Sequence, residues 1–567
     1  MKMNNEKGVA LIVSLFVVVV LLGMSAVFIL RSVYESRIVQ KELDMAKSFY
    51  IAEAGSKAAL DGLDTIINTH MLNTVNATNP STLVSQTRSY VTAHDGITFL
   101  INYAKNSGVP VLTLTGTDAN YIQSAALGGG NYQYDIRISE KTDPVTVTAD
   151  SWDFPFNYRI VASGAANGLD KDVVLSGDFT VRVQRDNFAK YALFTNQQTL
   201  PDGTTNVWFT DKTNFAGPLH TNGRYNIAMN PSGIFDGVVA QVDPMARFYN
   251  GGSPILLNDY HNGTIDVPTF NSGFTRNASA ISLSSASVQA NYVDQVRGTA
   301  TISSNGVYVP NNGTSLTGGI YVQGNGNVTL SVDGSGNQVY NVVQGGTQKI
   351  ITVNRSTHQT TVNHVGVSTV TYGGAPDGVD GVGTAIYVHG NISSLSGTVQ
   401  QDTPVTISSN NDMIITNNLK YQSYTPATGT PGTTGYIPPS VPATSENLLG
   451  LVTWNGNVRI GTAAPNNVEV HGTILAKSGI LAVDDYTNTS VGSRGVATLL
   501  GGVIQNFYGA FGQFNGGTGT QISGYGRNFV YDDRMAVGNA PPYFPSLNTF
   551  IAFTNDITDK MIWQEGT

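Results

Sequence analysis

The chain has no cysteine and little charge: none of its 567 residues is Cys, and only 12% are Asp, Glu, Lys or Arg. The first absence excludes disulfides, thiol nucleophiles and Cys-ligated metals. It does not set the compartment, because a large domain can be stable outside the cell on apolar burial alone. The second falls well below the roughly one-quarter charged share of ordinary soluble domains and argues against a helical cytoplasmic enzyme. Lys and Arg number 30 against 39 Asp and Glu, a net charge of −9, too acidic and too dilute for nucleic-acid binding through phosphate contacts. Also missing are the H-E-x-x-H, G-x-S-x-G, Walker A and Rossmann patterns that would mark hydrolytic or nucleotide chemistry. What is abundant is glycine, 62 residues of it, with Asn, Ser and Thr, a composition suited to a β-rich extracellular surface. At roughly 150 residues per domain the length gives three to four domains, unless one repetitive domain takes most of the chain.

The most informative stretch is residues 9–30, VALIVSLFVVVVLLGMSAVFIL, which carries no charge. At about 1.5 Å per residue it rises ~33 Å as a helix, enough for a hydrocarbon core of about 30 Å. It exceeds the ~7–15 apolar residues of a secretory signal peptide, and no A-x-A site follows it. Ahead lies the short basic MKMNNEKG; beyond, the chain continues to residue 65 without Pro. There Tyr34, Ile38, Met45, Phe49, Ala52, Leu60 and Leu63 recur at helical spacing, opposite a face holding Arg31, Glu35, Arg37, Lys41 and Lys47. The pattern predicts one helix over 9–65, lipid-embedded over 9–30.

A leader ending in Gly8, an apolar helix starting at Val9 and the downstream SFYIAEAG at 48–55 resemble the class III signal of type IV pilins and type II secretion pseudopilins, most closely the PilX-type minor pilins. The resemblance spans about residues 1–60. It implies a prepilin leader at 1–8, cleavage between Gly8 and Val9 by the prepilin peptidase, and methylation of the new Val9 amine. It also implies an inner-membrane location before delivery by an assembly platform to an extracellular filament, with other pilin subunits as partners through the helix. The family's main subunits carry Glu at the fifth position after the cut, where this chain has Val13. That Glu neutralises the amino terminus of an adjoining subunit, and an unpaired carboxylate in an apolar bundle is costly. The secretion pseudopilin that caps a filament tip also lacks it, so Val13 favours a tip position.

Residues 66–185 read as a small α+β pilin-like head: an early polar helix over 81–94, then strands over 97–103, 132–139, 144–149, 158–163 and 173–184. From 186 to 567 short apolar runs are punctuated by Gly and Asn, with almost no helix signal. IYVQGNGNVTL at 320–330, IYVHGNISSL at 386–395 and LVTWNGNVRI at 451–460 form an internal repeat at intervals of 66 and 65 residues. Three coils of some 22 residues fit one such interval. A β-helix or solenoid-like stack is favoured; β-sandwiches are the alternative. NFAGPLHTNG at 214–223 and YDDRMAVGNAPPYFP at 531–545 add a looser resemblance to large PilX-related pilins. YTPATGTPGTTGYIPPSVPATSE at 424–446 reads as a Pro/Thr/Gly-rich surface excursion. The predicted fold class is therefore α+β to mainly β: a long helix, a small head and an extended β-rich domain.

Candidate chemistry is sparse. The neighbours Asp484 and Asp485, and Asp532 and Asp533, point to opposite faces if on strands and would not share a substrate. His220, His389 and His471 each sit at a corner of a repeat unit and either line one edge or satisfy backbone groups; the second is favoured. DGSGN at 333–337 offers Asp333 and Asn337 to calcium, but Gln338 stands where the loop needs Gly and Gln344 where it needs Glu. Asp377 and Asp380 belong to a similar Gly/Asp turn. No other cofactor is expected. Phe507, Tyr508, Phe511, Phe514 and Tyr525 form a sugar- or protein-binding patch if exposed, and cap the open end of a solenoid if buried; the cap is favoured. The sequence thus predicts a non-catalytic minor pilin, tip-located in a type IV pilus-like filament, whose head contacts a surface glycan or protein ligand. The alternatives are a tip pseudopilin of a type II secretion system and a membrane-anchored carbohydrate-active enzyme.

Overall fold

A computed structural model describes residues 5–72, 113–115, 118–148, 151–209, 213–227, 233–250, 253–257, 268–283, 286–378, 383–431, 433–515, 519–536, 538–554 and 561–565, with residues 75, 87, 91, 100 and 557 singly. The polar helix expected over 81–94 and the strand over 97–103 lie outside the described residues, single positions aside. The chain divides into two compact units, residues 1–185 with 548–567 and residues 186–547. The C-terminal residues therefore leave the extended domain in which the repeat texture had placed them. The strand Ile562–Glu565 pairs with Leu169–Asn187 instead.

In the first unit one α-helix runs unbroken through Asn5–Ile66 and ends in a π-turn, Ile67–Leu72. It already includes residues 5–8, ahead of the expected start at Val9, because nothing in NEKG interrupts it. The lower half lies on an antiparallel sheet in which Asp118–Leu127, Gly130–Glu140, Ser151–Ala166 and Leu169–Asn187 are successive neighbours. Alternation builds the contact: Trp152, Phe154, Phe156, Tyr158, Ile160 and Ala162, every second residue of one strand, are all buried. That strand tolerates Pro155 because it faces a gap in the pairing. Glu140 pairs with Phe156 and Val145 with Asp153, and the Pro155 carbonyl accepts from the Lys141 amide in between.

The second unit holds an eleven-stranded and a thirteen-stranded sheet. Successive strands of the chain alternate between them. Ile320–Gln323, Thr384–Val388, Val405–Ser409, Leu449–Thr453, Thr473–Ala476 and Val503–Gln505 lie parallel in the first. Gly326–Val332, Ile392–Val399 and Met413–Tyr421 lie parallel in the second. The early segments Leu193–Thr195, Leu219–Thr221 and Val239–Gln241 then extend the first sheet beyond Val503–Gln505. Ile320, Ile386, Ile407, Leu451, Ile474, Val503, Leu193, Leu219 and Val239 consequently form one buried column in that spatial order.

The 66-residue interval has a different cause from the one expected. Ile320 pairs directly with Ile386, so that interval is one return of the chain, lengthened by the antiparallel strands Gln338–Gln344, Thr347–Asn354, Gln359–His364 and Ser368–Gly373. The next interval contains two returns, Ile386 to Ile407 and Ile407 to Leu451, the second lengthened by the excursion over 424–446. Near-equal spacing arose from two unlike insertions. The excursion is itself ordered as a hairpin, bridged at Thr425 with Ser440 and Thr428 with Ile437. One helix, Ala286–Arg297, was missed; its signal was a run free of Gly and Pro stopped by Gly298 at φ +48°. Its Tyr292 hydroxyl donates to the Ile386 and Thr406 carbonyls at 3.0 and 3.1 Å.

Parallel returns leave corner N–H groups to be satisfied, and a line of Asn and Asp side chains does this. Asn325 Oδ1 accepts from the Asn391 amide at 2.9 Å, Asn391 Oδ1 from Asp412 at 3.1 Å, Asp412 Oδ1 from Asn457 at 2.9 Å, and Asn457 Oδ1 from Ile480 at 3.0 Å. Replacing Asn457 by Ala leaves the Ile480 N–H without its acceptor and is expected to cost about 1–3 kcal/mol, whereas Asn457→Asp keeps the acceptor but sets a second carboxylate beside Asp412 and is expected to recover only part of that loss. Denaturant unfolding of the full-length variants checks both.

Candidate functional site

The helix has two unlike surfaces. From Gly8 to Leu30 none of it is covered: Val9 is 60% exposed and Phe16 68%. The segment is long and apolar enough to cross a membrane, with mean hydropathy 2.9. The described chain meets the helix from Asp44, which accepts from Asn167 Nδ2 at 2.8 Å, and buries it from Ser48 onward, through Ser48, Ile51, Ala52, Ser56, Ala59, Leu63 and Ile66. The expected stripe is thus corrected in part: Tyr34, Ile38 and Met45 stay exposed, while Ala52 and Leu63 are buried. The buried face is richer in small residues than the stripe because the sheet comes very close. A Cβ on Gly164 would sit 2.2 Å from the Ser48 carbonyl oxygen, so only glycine fits there. Gly8 and Val9, the residues flanking the implied cut, lie on open helix with Val13 on the next turn, and a methyl group added at Gly8 would meet nothing within 4 Å.

The aromatic segment is built inward. Tyr508, Phe511 and Tyr525 are buried, Phe507 is half-buried, and only Phe514, 45% exposed, stands out. Arg527 lies over the Tyr508 ring at 5.1 Å and Arg494 over Tyr525 at 4.7 Å. No broad patch results. In the eleven-stranded sheet Val503–Gln505 is flanked by Leu193–Thr195 and so lies in mid-sheet, whereas Gly512–Phe514 turns back antiparallel on Gln521–Val530 as the last strand of the thirteen-stranded sheet. The two segments singled out as pilin-like do meet: a Cβ on Gly217 would fall 2.5 Å from the Tyr531 ring, whose hydroxyl donates to the Lys190 carbonyl at 2.8 Å.

The calcium candidates serve turns. Asp333 Oδ1 accepts from the Ser335 and Asn337 amides, each at 2.9 Å, and Oδ2 from Asn337 Nδ2 at 3.0 Å. The Asn337 side chain, more than any other group, lowers the pKa of this carboxyl. Asp377 is buried with its amide on the Ala375 carbonyl, and Asp380 lies outside the described residues. Among the described residues no three His, Asp or Glu side chains converge as a metal site. The adjacent aspartates are separately engaged. Asp484 faces Arg459 at 3.3 Å, Asp485 sits in a turn at φ +53°, and Asp532 forms a buried pair with Arg534 at 2.6 Å. The three corner histidines do not share an edge. His220 lies in one sheet, stacked on Phe194 at 5.4 Å; His389 follows a strand of that sheet and is exposed; His471 ends a strand of the other.

One titratable cluster was not legible in the sequence. The parallel pairing of Leu419 with Val470 brings Lys420 and Glu469 together across 49 positions of chain, and no local motif marks that. The Glu469 carboxylate lies 3.6 Å from Lys420 Nζ and 3.6 Å from His471 Nε2, and accepts from the Tyr424 hydroxyl at 3.0 Å. The His471 imidazole, with Tyr424 and Lys420, holds the Glu469 carboxyl down to about 2. His471 is fully buried, and its Nδ1 accepts from the Tyr421 amide at 3.1 Å, which fixes the neutral ring with its proton on Nε2. Burial, above all, lowers the His471 pKa. The cluster anchors the base of the hairpin over 424–446.

Comparison with known proteins adds two findings. The family described as Domain of unknown function (DUF4900) matches residues 153–242, which run from the long strands of the first unit into the first strands of the second. Among solved structures the chain is similar to the competence-associated pilin ComZ from Thermus thermophilus, at 9% identity and a TM-score of 0.30, over 92% of this chain and 97% of that one. No curated protein matches. Likeness this loose leaves function to be argued from the residues themselves.

A pH dependence follows from the cluster. The folded state binds a proton at His471 less readily than the unfolded chain, so stability is full above the ordinary value of 6.5 and declines as the pH falls below it. Glu469 adds a further loss between its ordinary 4.5 and about 2. Thermal midpoints across pH 4–8, set against those of His471→Gln, which keeps an acceptor for Tyr421 but does not titrate, are expected to show a shallower acid slope in the variant.

Proposed function

We propose that this protein is a non-catalytic, pilin-like filament subunit of the PilX type. Its helix is inserted first in the inner membrane and then among the helices of other subunits, and its second unit makes contact with a surface, partner cell or exopolymer. The observation that carries this reading is the helix itself: an uncovered apolar half, preceded by a leader ending in Gly8, runs straight into a half clamped on an antiparallel sheet. A helix needing only an anchor has no reason to keep Tyr34, Ile38, Leu43 and Tyr50 exposed beyond the span; helices of neighbouring subunits would cover them. Val13, in place of a carboxylate, suits a subunit with no neighbour's amine to neutralise, and so a tip position. The second unit reads as an elongated β-solenoid-type head, because strands return to one buried column from the other sheet. Its ion pairs, such as Arg459 with Asp412 and Asp484, are structural, which supports a binding role over catalysis.

Mass spectrometry of the native protein is expected to find a methylated amino terminus at Val9, and Gly8→Val is expected to leave the uncut precursor in the membrane. A native terminus at Met1 would end the pilin reading. Val13→Glu is expected to spread the protein along filaments; labelling that stays at the tips would remove the positional argument.

A further inference from the structure

The second unit contains a cleft of about 190 Å³ whose lining includes the polar residues Gln197, Gln198, Thr199, Asn206, Arg224 and Arg247. Strand register assembles it. Trp208–Phe209, Asn226–Ile227 and Ala246–Asn250 run parallel with Arg247 beside Asn226, while a turn closed by the Thr199–Asn206 bridge brings up the amides. Gly223 lets the chain at Gln198 approach: a Cβ there would lie 3.2 Å from the Gln198 amide nitrogen.

The cleft wall holds donors without acceptors. Gln198 is 2% exposed; its Oε1 accepts from the Thr195 hydroxyl at 2.9 Å, but its Nε2 is buried with no partner. Arg224 gives Nη2 to Asp243 at 2.5 Å and leaves Nε buried and unpaired, and the Thr199 hydroxyl is likewise buried and unpaired. Arg247 enters no ion pair among the described residues. Buried polar groups in native proteins are nearly always satisfied, so this concentration of orphans asks for a partner. Amide NH₂ and guanidinium groups only donate, hence the partner brings acceptors, and Arg247, the cation here that no carboxylate among the described residues meets, favours an anionic one while Asp243 already balances Arg224. The volume is below the ~300 Å³ at which drug-sized pockets begin, so the cleft itself holds a single sugar-sized group. Hydroxyl and amide side chains next to the cations match ring hydroxyls.

We infer that this cleft binds one acidic sugar, its carboxylate or sulfate held by Arg247 and Arg224 Nε and its hydroxyls by Gln198, Thr199 and Asn206. The inference rests on the contact role proposed for this unit and gives that role a ligand class. Calorimetric titration of the detergent-solubilised full-length protein with galacturonate, galactose 6-sulfate, galactose and inorganic phosphate tests it. Binding of galacturonate or galactose 6-sulfate at least about tenfold tighter than galactose, the size of one charge-assisted hydrogen bond, is the expected result, and tells which anion is read. Arg247→Gln and Gln198→Leu are each expected to weaken that binding about tenfold or more while the thermal midpoint of at least one stays unchanged. Equal binding of galactose, phosphate binding as tight as either acidic sugar, undiminished binding in a folded variant, or no binding would overturn it. Because the titration is indifferent to the state of Val9, its failure leaves the filament reading standing, and loss of the filament reading leaves the cleft measurable.

Discussion

The interaction on which the rest depends is one the chain does not make with itself. Residues 9–30 present an uninterrupted apolar helix with none of it buried. At roughly 25 cal/mol per Å² of apolar surface, leaving such a face in water is untenable, so lipid or other helices must cover it. Everything at the other end of the same helix serves to hold a sheet onto it: small residues at Ser48, Ala52, Ser56 and Ala59 let the backbones meet, and Gly164 is the point of closest approach. The helix is thus half interface and half core without a break, and a covering partner reads one half while the fold reads the other.

A second constraint shapes the unit of residues 186–547. Parallel neighbours place equivalent residues about 4.8 Å apart, where like charges repel by ~1 kcal/mol even in water and by more when partly buried. Columns are therefore filled with residues that tolerate their own kind: Ile, Leu and Val inside, Asn and Thr at the corners. Where charge occurs, its sign alternates between neighbouring returns, as Asp412, Arg459 and Asp484 show. The 12% charged content is in this light a consequence of stacking, and the Asn and Asp acceptors along the corner are what remains when backbone N–H groups must be satisfied without a column of like charge.

Period-2 alternation made the strands around 132–139 and 173–184 legible, and the apolar run made the helix legible, because both signals are local. The strand Asp118–Leu127 escaped because DANYIQSAAL alternates poorly, and Pro155 hid the first half of Ser151–Ala166. Equal repeat spacing misled, since one interval holds a four-stranded antiparallel excursion and the other a proline-rich hairpin. Burial of the 507–531 aromatics depends on strand order, and early strands stacking beyond late ones cannot be seen in composition. The Lys420–Glu469 cluster and the Arg224–Arg247 cleft are likewise products of register between distant segments, and nothing near either residue announces them.

The most direct test of the helix as an assembly element is immunogold labelling of native surface filaments with antibody against residues 186–547. Sparse gold on filaments, concentrated at their ends, is the expected result. Gold confined to the cell membrane, with none on filaments sheared from the cells, would contradict it.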